Sequence, residues 1–114
     1  MNKYLFLYRG PHLTESPPPH SSDEMKAMFA AWDAWKNKFK TNILDMGDGL
    51  KPTGKVLKGG NVTDGPHVES KEVIGGYSLV QAETYEQALA VAAACPINHM
   101  PGAYIEVREM ANFG

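Results

Sequence analysis

KYLFLY, residues 3–8, is aromatic and aliphatic without a polar gap. A strand of that kind shows apolar side chains to both sides of its sheet. Tyr4, Phe6 and Tyr8 alternate with Leu5 and Leu7, so the two rows belong to opposite faces. What covers each row decides the architecture.

Working outward, RGPHLTESPPPHSS (residues 9–22) carries four of the eight prolines, which excludes helix and central strand and predicts a long surface loop. Ser21 followed by Glu24 is a capping-box pattern. Met25, Met28, Phe29, Trp32, Trp35 and Phe39 follow, mostly three or four residues apart, which predicts an amphipathic helix of about five turns with these residues in the core. Gly47, Gly49, Pro52, Gly54 and the Gly59–Gly60 pair break residues 42–63 into short pieces, of which Ile43–Met46 and Lys55–Leu57 are the extended ones. Asp64-Gly65-Pro66 is a turn signal. EVIGGYSLVQA, residues 72–82, reads as a strand whose Gly75–Gly76 pair marks a bulge or the close approach of a ligand or another backbone. Thr84 and Gln87 form a second capping box, opening an alanine-rich helix that Pro96 stops. AYIEVREM, residues 103–110, alternates as a strand does.

The order is β-α-β-β-α-β, the split pattern of ferredoxin-like α+β folds, with an antiparallel sheet and both helices on one face. Two helices cover one face only. The second apolar row of the first strand would then lie in water, a patch of the kind that marks an interface. The expectation is a homodimer joined through its sheet face.

At 114 residues the chain fits one domain, residues 1–114, with the Pro-rich loop at about 9–22. Its 43% apolar and 21% charged residues are those of a globular protein. A formal charge of −2 argues against nucleic acid or an anionic membrane as partner, since either calls for clustered Lys and Arg. One cysteine permits no internal disulfide, no apolar run reaches the ~18–20 residues of a membrane span, and MNKYLFLYRG is too short and too soon interrupted for a secretion signal. A cytoplasmic protein is expected. The four histidines and Cys95 lack zinc-site spacing, and Gly59–Gly60 lacks the Lys-Ser/Thr of a phosphate loop. No metal or cofactor is expected.

NVTDGPHVESKEVIGG, residues 61–76, gathers most of the candidate chemistry. Asp64 can bond backbone N–H groups within a turn. Alternatively Asp64 and His67, three residues apart, face one pocket, the carboxylate orienting the imidazole as a general base. Glu69 and Lys71 share one strand face and Glu72 takes the other. Ile74, Tyr77 and Leu79 predict burial around Glu72, which would then need a cation such as Arg9 or Lys71. A substrate site would draw on Arg9, Glu69, Lys71, Glu72 and Tyr77, with Arg9 or Lys71 holding an anionic group. Cys95, at a helix C-terminus, reads as a small buried hydrophobe.

Taken together, KYLFLYRG, MFAAWDAWKNKF, GDGLKPTGKV, VTDGPHVESKEVIGGYSLVQAETYEQALAVAAACP and IEVREM resemble the YCII-related family, in the subgroup named for a DGPF motif. The chain departs from it at His67, where the motif has Phe, and in a longer Pro-rich insert. The resemblance implies a dimeric α+β barrel in which two ferredoxin-like protomers pack sheet to sheet. For function it implies less: a small-molecule pocket with acid–base chemistry of lyase or isomerase type, or a non-catalytic ligand-binding or regulatory dimer associated with an extracytoplasmic-function sigma factor. A related branch includes a dehydrochlorinase of a chlorinated hydroxyquinol, and the wider superfamily includes muconolactone isomerase-like and monooxygenase-like enzymes. In the enzymatic YCII branch a His after the first strand pairs with an Asp, which makes His12 a further catalytic candidate beside Asp64 and His67.

Overall fold

The computed structural model describes residues 1–10, 21–65 and 73–112. The chain forms β1 (Asn2–Gly10), α1 (Ser22–Lys38), β2 (Ile43–Asp45), β3 (Gly54–Lys58), β4 (Asn61–Gly65), β5 (Val73–Ala82), α2 (Tyr85–Ala93), a 3₁₀ turn (Pro96–His99) and β6 (Tyr104–Glu109). It is an α+β protein with two antiparallel sheets, one of four strands in the order β2-β5-β1-β6 and one a separate β3–β4 hairpin.

β1 sits at the centre, paired with β5 on one side and β6 on the other. Its two apolar rows separate as their alternation requires. Tyr4, Phe6 and Tyr8 are buried together with Val80, Ala88, Val91 and Ile97. Both helices reach this row, since Tyr8 stands edge-on to Trp32 of α1 and Tyr4 edge-on to Tyr85 of α2. Among the described residues no helix lies over the opposite face. Register places Leu5 beside Leu79 and Leu7 beside Tyr77 there, all four half-buried at most.

The N-cap hydrogen bond of each capping pattern forms. Ser21 Oγ accepts from the Glu24 amide at 3.1 Å, and Thr84 Oγ1 from the Gln87 amide at 3.1 Å. Gln87 returns the contact one residue earlier than a box requires, accepting from the Glu83 amide.

Helix α1 departs from expectation. Trp35 is its one buried residue, Trp32 and Phe39 are half-buried against the core, and Met25, Met28 and Phe29 are exposed. The helical spacing was correct. What differs is the surface beneath it, because edge strand β2 is only three residues long and the sheet offers little area on that side.

The segment 54–65 also differs. Gly59 and Gly60 have φ of +57° and +85°, the pair of positive values that a two-residue type I′ hairpin demands and glycine supplies without strain. Gly59–Gly60 is therefore the turn, and Asp64, read as the start of one, lies in strand β4 opposite Lys55.

Candidate functional site

The glycine pair of β5 lines a hollow with an aromatic wall. A bulge falls where β1 passes Tyr8 and Arg9, and there the segment Met46–Leu50 lies down along β5. Gly49 bridges Gly76, the Tyr77 amide donates to the Asp48 carbonyl at 3.2 Å, and the Leu50 amide to the Gly75 carbonyl at 2.8 Å. A Cβ on Gly76 would stand 3.0 Å from the Asp48 carbonyl oxygen and 3.3 Å from the Tyr8 ring. Both the bulge and the close approach by another backbone, alternatives open in the sequence, occur at the pair.

Between this segment, α1 and the 3₁₀ turn lies a cavity of about 420 Å³, walled by Tyr8, Phe29, Trp32, Met46 and Ile97 and floored by Gly47–Gly49 and Gly75–Gly76. Beyond Trp32 and Ile97 a second hollow of about 290 Å³ continues past Met28, Met100 and His99. Trp32 is held edge-on by both Tyr8 and Trp35, each with ring centres 5.7 Å away.

The polar groups behind the wall satisfy one another. Ser78, fully buried, donates from Oγ to the Met46 carbonyl at 2.6 Å. Its single proton is thereby used, so Tyr8 donates to Ser78 Oγ across their 2.6 Å contact, and Cys95 Sγ donates to Tyr8 at 3.9 Å. Burial pushes the Tyr8 phenol well above its ordinary value and raises the Cys95 thiol too. The cavity thus meets the ring of Tyr8 and not a mobile proton. Among the described residues Asp48 is the one carboxylate at its rim, and it accepts from the Gly49 amide at 2.7 Å.

Tyr4 contrasts with Tyr8. Its hydroxyl is buried with no hydrogen-bond partner among the described residues, and burial raises its pKa. Tyr4→Phe is expected to be neutral or to stabilise by up to ~1 kcal/mol, whereas Tyr8→Phe should cost about 1 kcal/mol because Ser78 and Cys95 lose a partner. Urea unfolding of the two variants checks the difference in sign.

The candidate residues of the sequence fall in separate places. Asp64 pairs with Lys55 on the hairpin, its side chain 88% exposed. Arg9 and Tyr77 share the helix-free face of the sheet. Arg9 there donates to Glu106 at 2.7 Å, with Arg108 also bonded to that carboxylate. The Arg9 hydrogen bond is the main cause of a Glu106 pKa below its ordinary value. His12, His67, Glu69, Lys71 and Glu72 lie outside the described residues. Among the described residues no three His, Cys, Asp or Glu gather in a group that could hold a metal ion, and no helix is long and apolar enough to cross a membrane.

The aromatic wall was missed as a site because helical spacing of Phe29 and Trp32 reads as core. Gly75–Gly76 was the usable signal, since a glycine pair inside a strand announces close approach. A family model described as the YCII-related domain matches residues 14–113, which is most of the chain. No curated protein matches it.

Proposed function

The chain belongs to the YCII-related family, and from that premise we propose that it is a non-catalytic binder of a small, flat, largely apolar molecule, working as a homodimer. The cavity walled by Tyr8, Phe29 and Trp32 carries this reading. Its volume of about 420 Å³ lies within the ~300–1,000 Å³ of small-molecule sites. Aromatic faces offer stacking and edge contacts to a planar ring. The backbone of Gly47–Gly49 and Gly75–Gly76 supplies polar atoms that a bulkier residue type would bury.

The protomer reads as ferredoxin-like in the DGPF subgroup. Antiparallel strand order β2-β5-β1-β6 with both helices against one row supports this, taking the β3–β4 hairpin as an insertion. Leu5, Leu7, Tyr77 and Leu79 on the open face favour sheet-to-sheet pairing of two copies, as in a dimeric α+β barrel. Acid–base chemistry by Asp64 with a histidine is the weaker reading, because Asp64 stands solvated on the hairpin beside Lys55.

Titration with 1-naphthol, followed by tryptophan fluorescence, tests the pocket. Saturable quenching is expected, with affinity falling about tenfold in Trp32→Ala, since loss of a stacking partner and its apolar contact is worth ~1–2 kcal/mol. Unsaturable quenching, or equal affinity in Trp32→Ala, would sink the binding reading.

A further inference from the structure

We propose that the molecule held by the cavity of Tyr8, Phe29 and Trp32 is an organic cation, a flat heteroaromatic or N-methylated ring whose positive charge lies against Asp48. The inference rests on the binding reading given above and adds to it the charge of the ligand.

The rings supply the first part of the argument. Tyr8 and Trp32 stand with their planes at 74° and their centres 5.7 Å apart, so they meet as a corner and not as a stack. Phe29 belongs to the same wall and is 63% exposed, a ring that folding leaves largely in water. Aromatic rings carry negative potential over their faces. A cation within about 6 Å of a ring centre is attracted by it, most strongly over Trp. A neutral guest of the same shape gains the apolar contact and lacks this attraction.

The polar groups have the matching sign. Three donors around the cavity are spent within the protein: the Tyr8 hydroxyl on Ser78, the Gly47 amide on the Asp45 carboxylate at 2.8 Å, and the Gly49 amide on the Asp48 carboxylate at 2.7 Å. What is left over is the capacity to accept. A carboxylate offers about four lone-pair sites, so the Gly49 amide leaves Asp48 able to accept again. The Met46 thioether on the same wall is a further, weak acceptor. Asp45 and Asp48 flank Gly47 in the chain, which puts two negative charges on the segment that floors the cavity. A ligand that brings positive charge complements both the rings and this floor, whereas an anion meets repulsion at Asp48. Asp48 is also exposed to water. It therefore acts with the modest, salt-sensitive strength of a surface charge.

Isothermal titration calorimetry with probes of one two-ring shape tests the charge: N-methylquinolinium as cation, 1-naphthol as neutral molecule and 1-naphthoate as anion. The wild type is expected to bind N-methylquinolinium at least about tenfold more tightly than 1-naphthol at low salt, the sum of a cation–π contact and a solvated ion pair. 1-Naphthoate should bind more weakly than either. The cation preference should shrink in about 0.5 M salt, where the charge of Asp48 is screened. In Asp48→Asn, with folding confirmed by circular dichroism, it should fall to about twofold or less. Saturable binding of 1-naphthol with N-methylquinolinium no tighter, a preference for 1-naphthoate, or a cation preference indifferent to both salt and Asp48→Asn overturns the charge selection and leaves the pocket standing. Absence of saturable binding by all the probes overturns both.

Discussion

Trp35→Ala is expected to remove about 3–5 kcal/mol of stability, the range for deleting a large aromatic from a core. Domains of this kind have ~5–15 kcal/mol in all, so the loss is a large share of the whole. The size of the effect follows from how α1 is held. Trp35 is the only buried residue in its seventeen, and its indole N–H donates to the Val91 carbonyl at 2.9 Å. That carbonyl lies in the last turn of α2, where a helix of nine residues runs short of intrahelical donors. Asn98 serves the neighbouring Ala92 and Ala93 carbonyls in the same way. One side chain therefore joins α1 to α2, fills the core beside Tyr8, and backs Trp32 against the cavity. Trp35→Phe keeps much of the volume and loses the hydrogen bond, so it should cost less, about 1–2 kcal/mol. Urea unfolding of both variants supplies the check. A loss below ~1 kcal/mol for Trp35→Ala would mean that contacts other than this one hold α1 down.

The dependence on Trp35 also explains what the sequence made legible and what it hid. The alternation of Lys3–Tyr8 located the central strand, and two capping boxes located both helix starts, because each of these signals is local. Whether a helical face is covered is not local. Met25, Met28 and Phe29 carry the same spacing as Trp32 and Trp35, yet only the C-terminal half of α1 has packing beneath it. The turn residues show the same division. Gly59–Gly60 closes the hairpin because the backbone there needs positive φ twice in succession, while the Asp64-Gly65-Pro66 signal runs from the end of β4 into residues outside the described ones.

The candidate site was harder for a related reason. Titratable residues near one another in sequence attract a chemical reading, and Asp64 and Arg9 were natural choices. In three dimensions Asp64 belongs to the hairpin and Arg9 to the helix-free face, while the cavity is made of side chains and glycines from five stretches of chain. Convergence of Tyr8, Phe29, Trp32 and the Met46–Gly49 segment depends on how far apart the layers stand, which no residue pattern encodes. Only the Gly75–Gly76 pair left a mark of it.

Gly47 is where that convergence can be broken with one methyl group. Its φ is +68°, and an added Cβ would lie 1.9 Å from the Tyr77 carbonyl oxygen and 2.7 Å from its carbon. No rotamer change relieves a clash between two backbones. The left-handed conformation adds ~1–2 kcal/mol for any L side chain. Gly47→Ala must therefore lift Met46–Gly49 away from β5. That movement gives up the Tyr77–Asp48 and Ser78–Met46 hydrogen bonds and leaves Ser78 buried without its acceptor, at ~1–3 kcal/mol. The expected outcome is a loss of at least ~3 kcal/mol together with loss of saturable 1-naphthol binding, since the same segment forms the cavity floor. Gly54→Ala is the matched control: among the described residues nothing lies within 4 Å of its added Cβ, so stability and binding should stay at wild-type values. Thermal unfolding and the fluorescence titration on the pair decide it. Binding retained in a destabilised Gly47→Ala would place the ligand somewhere other than this cavity, because the floor cannot survive the displacement that the methyl group forces.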